Sequence, residues 1–325
     1  LADIRNTLGF VPGFMAAFPD EGLPGAWAEF KGVQLNPHSA IPAKYKELIG
    51  LGVASQIPCE YCVYFHTKAA KANGATDREI REAVAMSAIV RHWSTYLNGA
   101  QVDEATFRSE LGQVVQNAKA GAKPAAPLAV TDAASARADI QQTLGLVPGF
   151  FGTFPDEGLA GAWREMKGFQ LNPNTAIPNK YKELIGLAVA SQIPCRYCIA
   201  FHTQVAADLD GSTPAELQEA IVMASIVRHW STVLNGMQID RAAFHAEVNR
   251  AFAPKKSASL KTAKSNRTEA RVSRGDLPAL VGPPRNRVGA KTRGAKWVIV
   301  KWLTAGCSPA RRTAHCTWLG RRRRS

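Results

Sequence analysis

The chain repeats itself, and that repeat limits the possible folds more than any other feature. Ala2 to Phe14 (ADIRNTLGFVPGF) returns as Ala138 to Phe150 (ADIQQTLGLVPGF), an offset of 136. Gln34 to Thr67 (QLNPHSAIPAKYKELIGLGVASQIPCEYCVYFHT) returns at the same offset as Gln170 to Thr203 (QLNPNTAIPNKYKELIGLAVASQIPCRYCIAFHT). One residue inserted near Asp208 raises the offset to 137, after which Ile89 to Asn98 matches Ile226 to Asn235. Two copies of one unit therefore have to fold alike. The expected organisation is a first domain over residues 1–117, a linker rich in Ala, Pro and Gly over 118–136, and a second domain over 137–253. Residues 254–325 resemble neither copy and read as a disordered basic tail.

Within each unit nothing alternates with period two over a strand's length, so the fold class is all-α. Ile41-Pro42 followed by Lys44 to Gln56 predicts a helix with Leu48, Ile49, Leu51 and Val53 on its apolar face, stopped by Pro58. A second helix should run from about Cys59 to Asn73-Gly74, where glycine supplies the left-handed cap. The third begins at a capping box, Thr76 to Glu79 in one copy and Thr213 to Glu216 in the other, and ends at Asn98-Gly99 or Asn235-Gly236.

Charge is segregated. The formal net charge is +14, yet the last segment, 254–325, holds nineteen Lys and Arg against Glu269 and Asp276, which leaves residues 1–253 at −3. The repeats are therefore mildly acidic, and any nucleic-acid binding would belong to the tail; a solvated extension is the favoured reading of it. No apolar run is long enough to span a bilayer. The compartment expected is the cytoplasm, with the periplasm or secretion as the alternative because the chain starts at Leu1 without an initiator Met or a signal peptide.

The residues able to do chemistry cluster at the start of the second helix. Cys59 and Cys62 lie three apart, and His66 four beyond Cys62 shares its helical face; Cys195, Cys198 and His202 repeat the set. A helix N-terminus favours a thiolate, and a neighbouring thiol can close a disulfide onto a sulfenic acid. A zinc site is disfavoured, because the Cys pairs are 136 residues apart and a helix start makes a poor zinc knuckle. A purely structural disulfide is disfavoured because so short a loop constrains the unfolded chain little. Cys307 and Cys316 fall in the tail and read as incidental. Taken alone, Glu47 reads as a solvated helix residue paired with Lys44 or Lys46.

Glu47, twelve residues before Cys59, completes a pattern with Cys59, Cys62 and His66 that resembles the Glu-x₁₁-Cys-x-x-Cys-x-x-x-His signature of AhpD-like alkylhydroperoxidases in the carboxymuconolactone decarboxylase family; Glu183, Cys195, Cys198 and His202 repeat it. The resemblance implies that Cys62 and Cys198 attack a peroxide, that Cys59 and Cys195 resolve the product, and that the Glu and His residues relay protons. It departs from some members at Tyr61 and Tyr197, where those carry a further His. The expected activity is reduction of an organic hydroperoxide, reset by an external dithiol, with neither cofactor nor metal. The resemblance also implies a homo-oligomer. Two alternatives are a cofactor-free decarboxylase of the same fold and a thiol redox sensor without turnover.

Overall fold

The computed structural model describes residues 1–121 and 128–253. The expectations for the tail and the middle of the linker lie outside the described residues. The first copy forms seven helices: α1 (Ala2–Leu8), α2 (Gly13–Ala16), α3 (Leu23–Val33), α4 (Ala43–Gln56), α5 (Glu60–Ala72), α6 (Asp77–Gly99) and α7 (Glu104–Lys119). The second forms α8 (Ala133–Leu144), α9 (Gly149–Gly152), α10 (Asp156–Glu165), continued by a π-helical turn over Met166–Gln170, then α11 (Asn179–Gln192), α12 (Arg196–Asp208), α13 (Pro214–Gly236) and α14 (Arg241–Ala251). Among the described residues there is no strand, so the all-α expectation holds. No helix among them is long and apolar enough to cross a membrane.

Local chemistry accounts for the helix ends. Thr76 and Thr213 each accept the backbone N–H of the glutamate three residues on, and that glutamate returns a bond to the cap's own N–H, satisfying two free donors at once. Gly74 adopts φ +84° just past α5, the left-handed geometry a glycine takes at no steric cost.

The two copies share their cores. Residues 1–252 form one compact unit. One hydrophobic cluster joins Ile49, Val53 and Met86 to Ile185, Val189 and Met223, and a second joins Trp93 and Phe107 to Phe151 and Trp163. In α4 every residue from Lys46 to Ala54 is buried, and in α11 every residue from Lys182 to Ala190. A helix buried all round has no solvent face left for an amphipathic pattern to reveal. The two helices pack on each other at close range: a Cβ at Gly52 would lie 2.9 Å from Ile185 Cγ2.

Counterpart residues meet as they do in a two-fold pair. The rings of Tyr45 and Tyr181 stack with centroids 3.5 Å apart and planes 8° from parallel. Glu82 accepts the backbone N–H groups of Ala176 (2.9 Å) and Ile177 (2.7 Å), while its counterpart Glu219 accepts that of Ile41 at 3.2 Å. The carboxy-terminal helices are exchanged: α14 lies against α5, and α7 against α12. Each fully buried Leu, Ile or Phe side chain contributes roughly 1.5–3 kcal/mol of transfer free energy. A repeat taken from its partner would return much of that surface to water.

Candidate active site

Cys59 is the N-cap of α5, with φ −86° and ψ 99°, and its sulfur accepts the backbone N–H of Cys62 at 3.3 Å. Cys195 caps α12 in the same way, accepting from Cys198 N at 3.2 Å. The first Cys of each motif thus takes the capping role usually filled by Ser, Thr or Asp, facing the positive end of the helix dipole. Cys59 and Cys62 are free, whereas Cys195 and Cys198 are joined as a disulfide with Cα atoms 5.3 Å apart.

The two thiols of the free pair are unequal. The Cys59 thiol is pushed down to about 6, first by the hydrogen bond that the Cys62 thiol donates to it, then, against its burial, by Ser231, the Cys62 backbone N–H and Asn235. The Cys62 thiol is pushed well up, because it holds the proton shared with Cys59 and because it is buried. The resting negative charge therefore sits on Cys59, where the donors converge.

The remaining predicted residues come together one turn along. His66 Nδ1 lies 2.7 Å from Glu47 Oε2, and His202 Nδ1 lies 2.6 Å from Glu183 Oε2. All four side chains are buried: Glu47 and His66 are each 4% exposed, Glu183 2% and His202 3%. Glu47 is not a solvated partner of either lysine. Lys44 pairs with Glu79 at 2.7 Å, and the buried Lys46 donates to the carbonyls of Val33 (2.7 Å) and Asn36 (2.6 Å) and to Ser39 Oγ (2.7 Å).

Two further residues shape the pair. A Cβ at Gly50 would come within 2.8 Å of three ring atoms of His66, and one at Gly186 within 2.7 Å of three ring atoms of His202. The imidazole therefore lies against bare backbone of α4 or α11, one turn after the glutamate it bonds. Gln34, also buried, donates Nε2 to Glu47 Oε1 at 3.3 Å. Sequence reasoning missed Gln34, although its identity with Gln170 in the repeated QLNP segment was a usable signal.

The second centre opens onto a cavity of about 230 Å³ whose wall is chiefly apolar, including Trp93, Phe107, Phe150 and Phe201; Cys198 and His202 line it and Cys195 does not. Trp93 and Phe107 come from the first copy, so this pocket is built by both. Among the described residues no group of three or more His, Cys, Asp and Glu is arranged to hold a metal ion.

Comparison with known proteins agrees with the repeat. The profile of the carboxymuconolactone decarboxylase family matches twice, over residues 21–105 and 157–242. An uncharacterized protein of Cupriavidus necator is 36% identical over 69 residues, 21% of this chain and 61% of the relative. An uncharacterized protein encoded in the cox locus of Paracoccus denitrificans is 35% identical over 57 residues, 18% of this chain and 51% of the relative. The matched stretches thus span between half and two thirds of those relatives' lengths. No solved structure matches. Two copies of the family domain cover more than half of the sequence, and the chain belongs to the carboxymuconolactone decarboxylase family, as an AhpD-like tandem pair.

Proposed function

We propose that the protein is a thiol-dependent peroxidase that reduces organic hydroperoxides. The observation that carries this reading is that Cys198 and His202 together line an apolar cavity and Cys195 does not. A peroxide entering that cavity meets Cys198 first. Cys62 and Cys198 are therefore assigned attack, and Cys59 and Cys195 resolution.

The cycle balances as follows. In the reduced centre Cys195 carries the charge and Cys198 the proton, by analogy with Cys59 and Cys62. The Cys198 proton moves to Cys195, and the Cys198 sulfur attacks the terminal peroxide oxygen, breaking the O–O bond. Sulfur is oxidised to sulfenic acid and the alkoxide leaves as an alcohol, taking a proton from the Glu183–His202 pair, which Cys195 then replenishes. The Cys195 thiolate displaces water from the sulfenic acid, closing the disulfide, with the hydroxide leaving group protonated from solvent. An external dithiol reduces that disulfide by exchange, becoming a disulfide itself. His202 lines the cavity with its ring packed on Gly186, and Glu183 fixes its ring and tautomer.

An apolar wall favours a carbon-bearing peroxide over hydrogen peroxide. With dithiothreitol as reductant, kcat/KM for cumene hydroperoxide is expected to exceed that for hydrogen peroxide by about tenfold or more, the discrimination a few buried carbons supply. Absence of consumption, or preference for hydrogen peroxide, would count against the reading.

A further inference from the structure

Each Cys-x-x-Cys centre receives side chains from the opposite repeat. Asn235, near the end of α13, directs Nδ2 at Cys59 Sγ from 3.5 Å, and Asn98, near the end of α6, directs Nδ2 at Cys195 Sγ from 3.5 Å. The other proton of each amide goes to its own helix, to the carbonyl of Ser231 (2.8 Å) or Ser94 (2.7 Å), which fixes the direction of the first. The buried Ser231 favours the charged form of both thiols of the first centre, and Ser94, also buried, is its counterpart in the other repeat. None of these four residues belongs to the Glu-Cys-Cys-His motif, and none lies in the same repeat as the sulfur it serves.

The tyrosine inside each Cys-x-x-Cys holds this arrangement in register. Tyr61 donates its hydroxyl to the carbonyl of Ile239 at 2.6 Å, and Tyr197 donates to that of Val102. Those carbonyls belong to the turns that follow α13 and α6, a few residues beyond the asparagines. The departure from the family pattern at these positions thus has a physical role: a hydroxyl that docks one repeat on the other replaces an imidazole.

We propose that Asn235 and Ser231 are positioning residues of the first centre, and Asn98 and, as the repeat counterpart of Ser231, Ser94 of the second: they hold the resting charge on the amino-terminal Cys of the opposite repeat, so that each centre is complete only when both repeats are docked. Neutral N–H and O–H donors favour the charged form of a buried sulfur without pairing it off with a fixed cation. The sulfur so charged is free to accept the proton of its neighbour and later to attack. The catalytic meaning rests on the peroxidase reading, but the charge itself is measurable without turnover.

The test uses the reduced full-length protein, alkylated with iodoacetamide over a pH series, with modification of Cys59 and Cys195 followed separately by fragment mass spectrometry. In the parent the Cys59 profile should have its midpoint at about 6. Asn235→Leu and Ser231→Ala should each move the Cys59 midpoint up by about one pH unit or more, as loss of a hydrogen bond to a buried anion does, and leave Cys195 in place. Asn98→Leu and Ser94→Ala should move Cys195 and leave Cys59 in place. Both asparagines are exposed, so the leucine variants avoid a cavity in the core and remain informative should a serine variant lose helical signal. An unmoved Cys59 midpoint in Asn235→Leu, or equal movement of both centres in any one variant, overturns the proposal. The crossed pattern without peroxide turnover would retain it and remove the peroxidase reading; turnover without the crossed pattern would do the reverse.

Discussion

Replacing Cys62 and Cys198 together by Ser is expected to abolish peroxide consumption, a loss on the order of 10⁴-fold or more, as removal of an attacking nucleophile generally causes. Ser cannot be oxidised, and its hydroxyl is not ionised by a neighbouring thiolate. Replacing Cys59 and Cys195 instead should leave a single turnover that stops at sulfenic acid, because attack is retained and resolution is lost. That turnover should also be slower than the parent's at neutral pH, since Cys59 is where the charge rests and hence the group that takes up the Cys62 proton. A dimedone-type reagent should label Cys62 and Cys198 in these variants. If labelling in the parent fell on Cys59 and Cys195, the assignment would be reversed and the resting thiolate would itself be the nucleophile. Activity that survived Ser at all four positions would point to the cofactor-free decarboxylase chemistry also found in the family.

Glu47→Gln combined with Glu183→Gln is expected to slow peroxide reduction by about 10²-fold or more at neutral pH, the range of a positioned acid–base group. Two effects compete. A carboxylate near a sulfur repels its thiolate, so its removal as a mere neighbour would help attack. Here, however, each carboxylate is bonded to an imidazole at 2.7 or 2.6 Å and buried with it. The amide keeps the shape but loses the charge that orients the ring and supports its protonated form. Raising the pH should not restore the rate, because what the variant lacks is the protonated imidazole that delivers a proton to the leaving alkoxide, and higher pH depletes that form further. A Gln variant as fast as the parent at neutral pH would reduce the relay to the histidine alone.

The helices were legible because their signals are local. The two Thr capping boxes and the left-handed Gly74 end or begin helices within a residue or two of the positions their chemistry dictates. The juxtaposition of Cys62 with His66 follows from helical spacing, and the Cys59 N-cap from its place just before α5. The burial of Glu47 was not legible: α4 is enclosed on every side, so its pattern gives no clue to which charged residue faces solvent. Nor was the exchange of α7 and α14 between repeats, since nothing in the period of either helix encodes which α5-like helix it will cover. Asn98 and Asn235 illustrate the limit well. At the ends of long helices they read as ordinary termination residues, and only the docking of the two repeats brings each amide to a sulfur 97 or 176 residues away.

A thiol cycle driven by peroxide is read from the intact mass of the fully reduced protein before and after one equivalent of an organic hydroperoxide per centre, in the absence of reductant. Loss of two hydrogens is expected for each centre that turns over, with the new disulfides mapped to Cys59–Cys62 and Cys195–Cys198 and one alcohol released per disulfide. An unchanged mass with the peroxide intact would rule out the thiol cycle.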